Sequence, residues 1–417
     1  MSKKFLTMMM GLSLATLVGC SSADNGEAGN TLELFSTKAE NVAILESIAK
    51  DFSVQYPDYT INVVAPADAA TVLKTRMAKN DMPDILAMGG DSYFTEVQGA
   101  GMLVDLSQET FVDDLHEGYL DMVYNRNENK EEVVYGIPYA TNASGVIYNK
   151  DLFEQAGVEV PDTWDEFISV IETLDNQGIN PFVFTYKDSW TILPPWNSMA
   201  PVLQPDNFMQ DRLDNKTTFL GTHEEVLEKM ITLMDYAQND FMGMSYDDGN
   251  KAFATGAGAM IINGNWAINQ ITAVNPDVNL GMFAFPTSND ASDNKLTSGV
   301  DVLLAVVDGN DEKEEIAKLF IEFALQPEIA TKYIEDQFAF SAVKGVEQTN
   351  PIVADVSQDV IDGNVANFPD HYYPNGLDLS AVLSGFAMNY QSGMNDDENI
   401  AATLKDLDNK YDAVNLK

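Results

Sequence analysis

Strand-like and helix-like stretches alternate from residue 31 onward, and that alternation restricts the chain to an α/β architecture. Residues 31–35 (TLELF) predict a strand. Thr37-x-x-Glu40 has the spacing of a capping box and predicts a helix carrying Val42, Leu45, Ile48, Ala49 and Phe52 on one face. A strand over 59–65, a helix over 69–78 and a third strand over 83–88 follow. Strand-helix-strand repetition implies parallel strands with helical crossovers, and such sheets bind ligands at the carboxyl ends of their strands. Two turns occupy those ends: Ser36-Thr37-Lys38 and Gly89-Gly90-Asp91-Ser92.

A second α/β series opens near Gly145, with strands expected at 146–148, 181–185 and 259–263 and a helix from Asn265. A second capping box, Thr163-x-x-Glu166, precedes a long helix. Residues 300–307 predict a buried strand, 311–324 a helix, and the tail two more helices near 377–390 and 395–411. The chain has 417 residues, more than one ordinary core accommodates, so two domains are expected.

Before residue 31 the pattern is different. Lys3 and Lys4 precede an uncharged apolar run that is too short to span a bilayer, which reads as a secretory signal. The run ends at Leu17-Val18-Gly19-Cys20, and Cys20 is the only cysteine, so no disulfide forms within the chain. Small residues before that cysteine resemble a bacterial lipobox, which implies that 1–19 are removed and that Cys20 carries lipid. Residues 20–30 then form a polar tether to the folded body. The expected location is the cell envelope, facing the extracellular or periplasmic side, with the membrane touched only through that lipid.

Cleavage would leave 21 basic against 65 acidic residues, a net charge of −44. Such a surface repels nucleic acid and anionic membranes, and an anionic ligand as well. A neutral solute is favoured.

Residues 135–167 (YGIPYATNASGVIYNKDLFEQAGVEVPDTWDEF) resemble the hallmark of the family 1 extracellular solute-binding proteins. Three further matches follow in family order: Leu73-Lys74-Thr75-Arg76 with Met82-Pro83-Asp84-Ile85; Phe253-Ala254-Thr255-Gly256 with Gly264-Asn265-Trp266; and residues 338–344 (FAFSAVK). Pro138-Tyr139-Ala140-Thr141-Asn142-Ala143 and Asp188-Ser189-Trp190-Thr191 are similar to the raffinose and multiple-sugar binders within it.

The resemblance implies a type II periplasmic-binding-protein-like α/β fold, two lobes joined by a hinge with the ligand cleft between them. Lobe one would comprise 31–141 plus 286–346, lobe two 142–285 plus 347–417, with crossovers near Asn142 and Pro286 as the hinge. It also implies a monomeric carrier with no cofactor, no metal and no catalysis. Such a carrier delivers a neutral oligosaccharide, a raffinose-like α-galactoside or an α-1,6-gluco-oligosaccharide, to the permease subunits of an ABC importer.

A sugar offers hydroxyls and C–H faces, so fixed polar groups and flat aromatic rings in strand-end loops are the candidate ligands. In lobe one these are Ser36, Lys38, Glu40 and Asp91, although Asp91 also suits a helix N-cap. At the crossover it is Asn142, and in lobe two Asp188, Trp190, Asn263, Gly264 and Trp266. Either tryptophan could instead fill a core. Asp301, Phe340, His371 and Phe386 complete the set.

Other chemistries lack their motifs. A glycosidase needs a placed pair of acids, and abundance alone supplies no such pair. Ser341-x-x-Lys344 lacks the companion elements of penicillin-binding enzymes. His116, His223 and His371 are too scattered for a zinc helix motif. Asn275-x-Asp277-x-Asn279 misses the calcium-loop glycine by one position, and Gly256-x-Gly258 lacks the third glycine of a phosphate loop. An adhesive surface lipoprotein would share the anchor and charge but has no need of the two-lobe word order.

Overall fold

The computed structural model describes residues 30–66, 68–124, 133–374 and 376–415. The signal, Cys20 and nearly all of the tether lie outside them.

Among the described residues, nine strands form one mixed sheet that runs through both lobes. In lobe one, β1 (Thr31–Ser36) lies between β2 (Thr60–Val64) and β3 (Ile85–Met88), parallel to both. This is the crossover pattern expected from the alternation. Helix α1 (Val42–Gln55) buries Ile44, Leu45, Ile48, Ala49 and Phe52 over the sheet, and Phe52 meets Phe320 edge-on at 5.3 Å. A ring so enclosed contributes about 2 kcal/mol. Helices α2 (Ala69–Lys79) and α3 (Ser92–Gly99) flank the carboxyl ends of β1 and β3.

Two long strands carry the chain between the lobes. β4 (Ile137–Asn149) is continuous for 13 residues, so the strand expected at 146–148 is the far end of a longer one. Its first half pairs antiparallel with β7 (Leu296–Val306), and its second half pairs with β5 (Met260–Gly264) and β6 (Leu280–Phe283). β7 in turn pairs with β3, so the sheet passes from one lobe to the other through the β4–β7 ladder, with Asn142 opposite Gly299. Register shifts at Pro138/Ala140 and Ala140/Thr141 interrupt that ladder on the lobe-one side. Such irregularities bend a strand locally. Short strands β8 (Phe340–Ser341) and β9 (Val365–Ala366) attach to β4 and β7.

Three sequence expectations are corrected. The 181–185 run is no strand: only Phe182 makes an isolated bridge, to Met260, and Phe182 and Phe184 pack instead as core side chains. The second crossover is β7 rather than the Pro286 region. Residues 287–294 stay with lobe two, where Thr287 donates to the Ser198 carbonyl and Asn294 to that of Asp162. The box at Thr37 does not form, because α1 begins only at Val42 and its N-cap, Asn41, makes no capping bond. The box at Thr163 does form, opening the helix Trp164–Asn176.

Each lobe has its own core. One cluster joins Leu32, Phe52, Ile137 and Phe320; another joins Tyr148, Phe167, Trp196 and Tyr411; a third follows the shared sheet across the hinge from Phe94 through Ala143 to Met282. Among the described residues, no helix is long and apolar enough to cross a membrane.

Candidate functional site

The loop left between β1 and α1 is shaped by polar contacts. Ser36 is fully buried, donating to Asn41 Oδ1 at 2.8 Å and accepting from the Lys38 amide at 3.1 Å. The Asn41 amide nitrogen donates to the Tyr333 hydroxyl at 3.2 Å, so the side chain that would cap α1 ties the loop to the next helix layer instead. Ser36 therefore organises the loop from beneath, and the structure removes it from the ligand-facing set.

Lys38 reaches from this loop to the crossover strands, where its ammonium binds Asp301 Oδ1 on β7. The Asn142 amide of β4 donates to the same oxygen at 3.1 Å. Burial disfavours the charged lysine, but the charge and hydrogen bond of Asp301 outweigh it, with Glu40 and Asp91 adding, and the Lys38 pKa rises above its ordinary value. Lys38 is therefore cationic at neutral pH and already paired. Glu40 stays exposed nearby. Asp91 performs the capping role, accepting from the amides of Tyr93 at 2.9 Å and Phe94 at 3.3 Å through Oδ1.

Lobe two meets this group at Asn142-Ala143-Ser144. β5 ends at Asn263 and Gly264, which pair with Gly145 and Ser144 of β4. Asn265 is buried and accepts from the Ala143 amide at 2.8 Å, locking the loop to the crossover. Gly264 is required by close approach: a Cβ there would lie 2.0 Å from the Trp266 ring. Trp266 is only partly buried, and its indole sits 6.5 Å from Phe368, whose ring is tilted against His371 at 4.9 Å. Phe368 lies against the hinge as well, since a Cβ on Gly299 would stand 2.9 Å from its ring.

Asn142 Oδ1 and Asn263 Nδ2 are buried without a hydrogen-bond partner; alternation along β4 puts Asn142 on the Ser144–Gly264 face of the sheet and Asn263, opposite Gly145, on the other. A buried polar atom left unmatched costs about 1–3 kcal/mol, so Asn142 Oδ1, beside Asp301, has capacity for a polar partner.

A third group stands farther out on lobe two. Asp188 accepts from the Tyr246 amide at 2.6 Å, and Trp190 meets the Tyr246 ring edge-on at 4.8 Å with 38% of its surface exposed. Trp190 thus stays open rather than filling a core. Burial, opposed by an Asn250 hydrogen bond and reinforced by Asp247 and Glu40, pushes the Tyr246 hydroxyl up to about 12.

Two candidates fall elsewhere. Phe386 is fully buried in the lobe-two core among the tail helices, where no ligand reaches it. Phe340, 2% exposed, pairs through β8 with β4 and lines a separate cavity of about 60 Å³ that shares no residue with the Lys38 group. Sequence reasoning missed Asn265, Tyr246 and Phe368. Asn265 lay inside a recognised motif, but nothing local to Tyr246 or Phe368 distinguishes them from core aromatics.

Among the described residues, no group of three or more His, Cys, Asp or Glu is placed to hold a metal ion. His223 is buried among Trp196, Phe208 and Phe219, and burial pushes its pKa down to about 3.

The family model for bacterial extracellular solute-binding proteins matches residues 36–331. The chain belongs to that family. It is 29% identical over 353 residues to a multiple sugar-binding protein of Streptococcus mutans, covering 82% of each chain. It is 24% identical over 357 residues to the melibiose/raffinose/stachyose-binding protein MelE of Bacillus subtilis, covering 80% of this chain and 79% of that one. Among solved structures, apo RafE of Streptococcus pneumoniae superposes with a TM-score of 0.76 at 25% identity, covering 93% of this chain and 98% of RafE. RafE in complex with raffinose superposes at 0.72, also at 25% identity, covering 92% and 99%. These likenesses extend through both lobes, so the fold is the two-lobed type II form with its cleft between the lobes.

Proposed function

We propose that this protein captures a neutral oligosaccharide, a raffinose-like α-galactoside or an α-1,6-gluco-oligosaccharide, and delivers it unaltered to the permease of an ABC importer. The observation that carries the reading is the Asn142 amide oxygen, buried without a partner beside an Asp301 carboxylate whose Oδ1 alone takes both Lys38 and Asn142. An unmatched amide oxygen and a remaining carboxylate oxygen suit neighbouring hydroxyls, which can donate to both. Trp266 and Trp190 offer flat rings to C–H faces, with Phe368 beside the first and Tyr246, held by Asp188, beside the second. The cleft has one lysine already neutralised by Asp301 and a chain dense in acids, so an uncharged ligand fits and an anion does not. The names of the S. mutans and B. subtilis relatives support the sugar class.

Binding that draws on both walls favours the closed arrangement of the lobes through contacts absent when they are apart. The β4–β7 ladder carries the chain between the walls and serves as the hinge. Lipid on Cys20 would hold the carrier at the membrane, and Cys20→Ala should release it into the soluble fraction of cells.

Thermal-shift screening of the mature protein against neutral mono-, di- and trisaccharides tests the reading, since a bound sugar raises stability with the logarithm of its concentration. A rise with an α-linked di- or trisaccharide, and its recovery intact after long incubation, is the expected result. No rise with any sugar contradicts the carrier reading, and cleavage products would move the protein to the glycosidase class.

A further inference from the structure

We infer that Tyr119 is a two-position latch on the hinge, whose hydroxyl holds Ser298 in this structure and passes to Thr141 when the lobes close on sugar. This rests on the sugar-carrier reading and adds a residue that sets affinity without touching the ligand. The hydroxyls of Tyr119, Thr141 and Ser298 are all buried, and alternation puts Thr141 and Ser298 on the face of the β4–β7 ladder opposite to Asn142. Tyr119 stands on α4 (Glu117–Tyr124), which is fixed to lobe one because the His116 amide donates to the Ala342 carbonyl at 2.9 Å and Leu115 bridges Val343. Its hydroxyl lies 2.9 Å from Ser298 Oγ. Ser298 has one hydroxyl proton and gives it to the Asn142 carbonyl at 2.7 Å, so Tyr119 is the donor to Ser298.

Thr141 Oγ1 is the odd group, buried with no hydrogen-bond partner. An unmatched hydroxyl costs about 1–3 kcal/mol, and valine has nearly the same shape without that cost. The atom nevertheless lies near the phenol: burial raises the Tyr119 pKa, and the Ser298 and Thr141 hydroxyls both temper the rise. Position accounts for the two partners. Thr141 stands opposite Val300 on the lobe-one side of the Asn142–Gly299 midpoint, and Ser298 stands opposite Ala143 on the lobe-two side. Bending the ladder at that midpoint carries Ser298 away from α4, whereas Thr141, paired with Phe340 of β8, stays with Tyr119 in lobe one. The released phenol then meets Thr141, and Ser298 keeps the Asn142 carbonyl. Closure thus exchanges one hydrogen bond for another and matches the orphaned hydroxyl. Apo RafE superposes on this chain more closely than the raffinose complex does, in keeping with a Ser298 contact made by open lobes.

The test is calorimetric titration of the mature protein and its variants with raffinose and with isomaltotriose, beside melting curves without sugar. Thr141→Val should leave the sugar-free melting temperature equal or higher, since it removes an unmatched group, and should weaken the sugar that binds about fivefold, the size of one net hydrogen bond. Tyr119→Phe removes the bond from both arrangements and should keep affinity within about twofold of the parent. Added to Tyr119→Phe, Thr141→Val should then change affinity no further, because the latch has no hydroxyl left to engage. Unchanged affinity in Thr141→Val, or a fivefold loss that persists in the double variant, overturns the latch and leaves the carrier reading standing. Binding of neither sugar by the parent sinks the carrier reading, and the latch with it.

Discussion

Thr163-x-x-Glu166 and Thr37-x-x-Glu40 are the same four-residue pattern, one on the outside of lobe two and one at the cleft. In the first, Thr163 Oγ1 accepts from the Glu166 amide at 3.4 Å and the Glu166 carboxylate accepts from the Thr163 amide at 3.1 Å. In the second, the helix waits until Val42, Asn41 is turned toward Ser36 and Tyr333, and Lys38 is drawn to Asp301. A side-chain cap is worth about 1 kcal/mol. The buried bonds at Ser36 and Asn41 and the lysine–carboxylate pair together exceed that, so the local rule gives way where the loop serves the cleft.

The comparison can be broken from the cleft side first. Asp301→Ala strips Lys38 and Asn142 of their shared acceptor; it should lower stability by about 2 kcal/mol in denaturant titration and abolish measurable sugar binding. Unchanged binding would detach the Lys38 loop from the site. Trp266→Ala and Trp190→Ala should each cost about 1–3 kcal/mol of sugar affinity, and Trp190→Ala should do so with little change in melting temperature because its ring is already open to solvent. A lowered melting temperature with intact affinity would assign the ring to packing. Thr163→Ala should cost about 1 kcal/mol of stability and leave affinity alone. Smallest of all, Thr37→Ala should change stability by less than about 0.5 kcal/mol, having no cap to lose; a loss equal to that of Thr163→Ala would mean that the two boxes are alike after all.

Where local preference and global packing agree, the sequence was readable. Residues 311–324 form a helix with the bounds that periodicity predicts, and β1 and β5 appear within a residue of expectation. Where they compete, it was not. The apolar run at 182–184 has strand character, yet Phe182 and Phe184 stack on each other at 5.0 Å within the lobe-two core rather than joining a ladder. Phe386 and Trp190 look alike as aromatics in sequence; one is enclosed by the tail helices and the other projects beside Tyr246, a distinction that arises only from tertiary packing. Asp301 was legible through resemblance alone, because its partners Lys38 and Asn142 lie 263 and 159 residues away.

Small-angle X-ray scattering of the mature protein, recorded with and without a saturating sugar identified by the thermal screen, tests the two-walled cleft most directly. Contraction of the particle on saturation is the predicted result, because the proposed carrier closes its lobes around the ligand. Superimposable curves at full occupancy would contradict it.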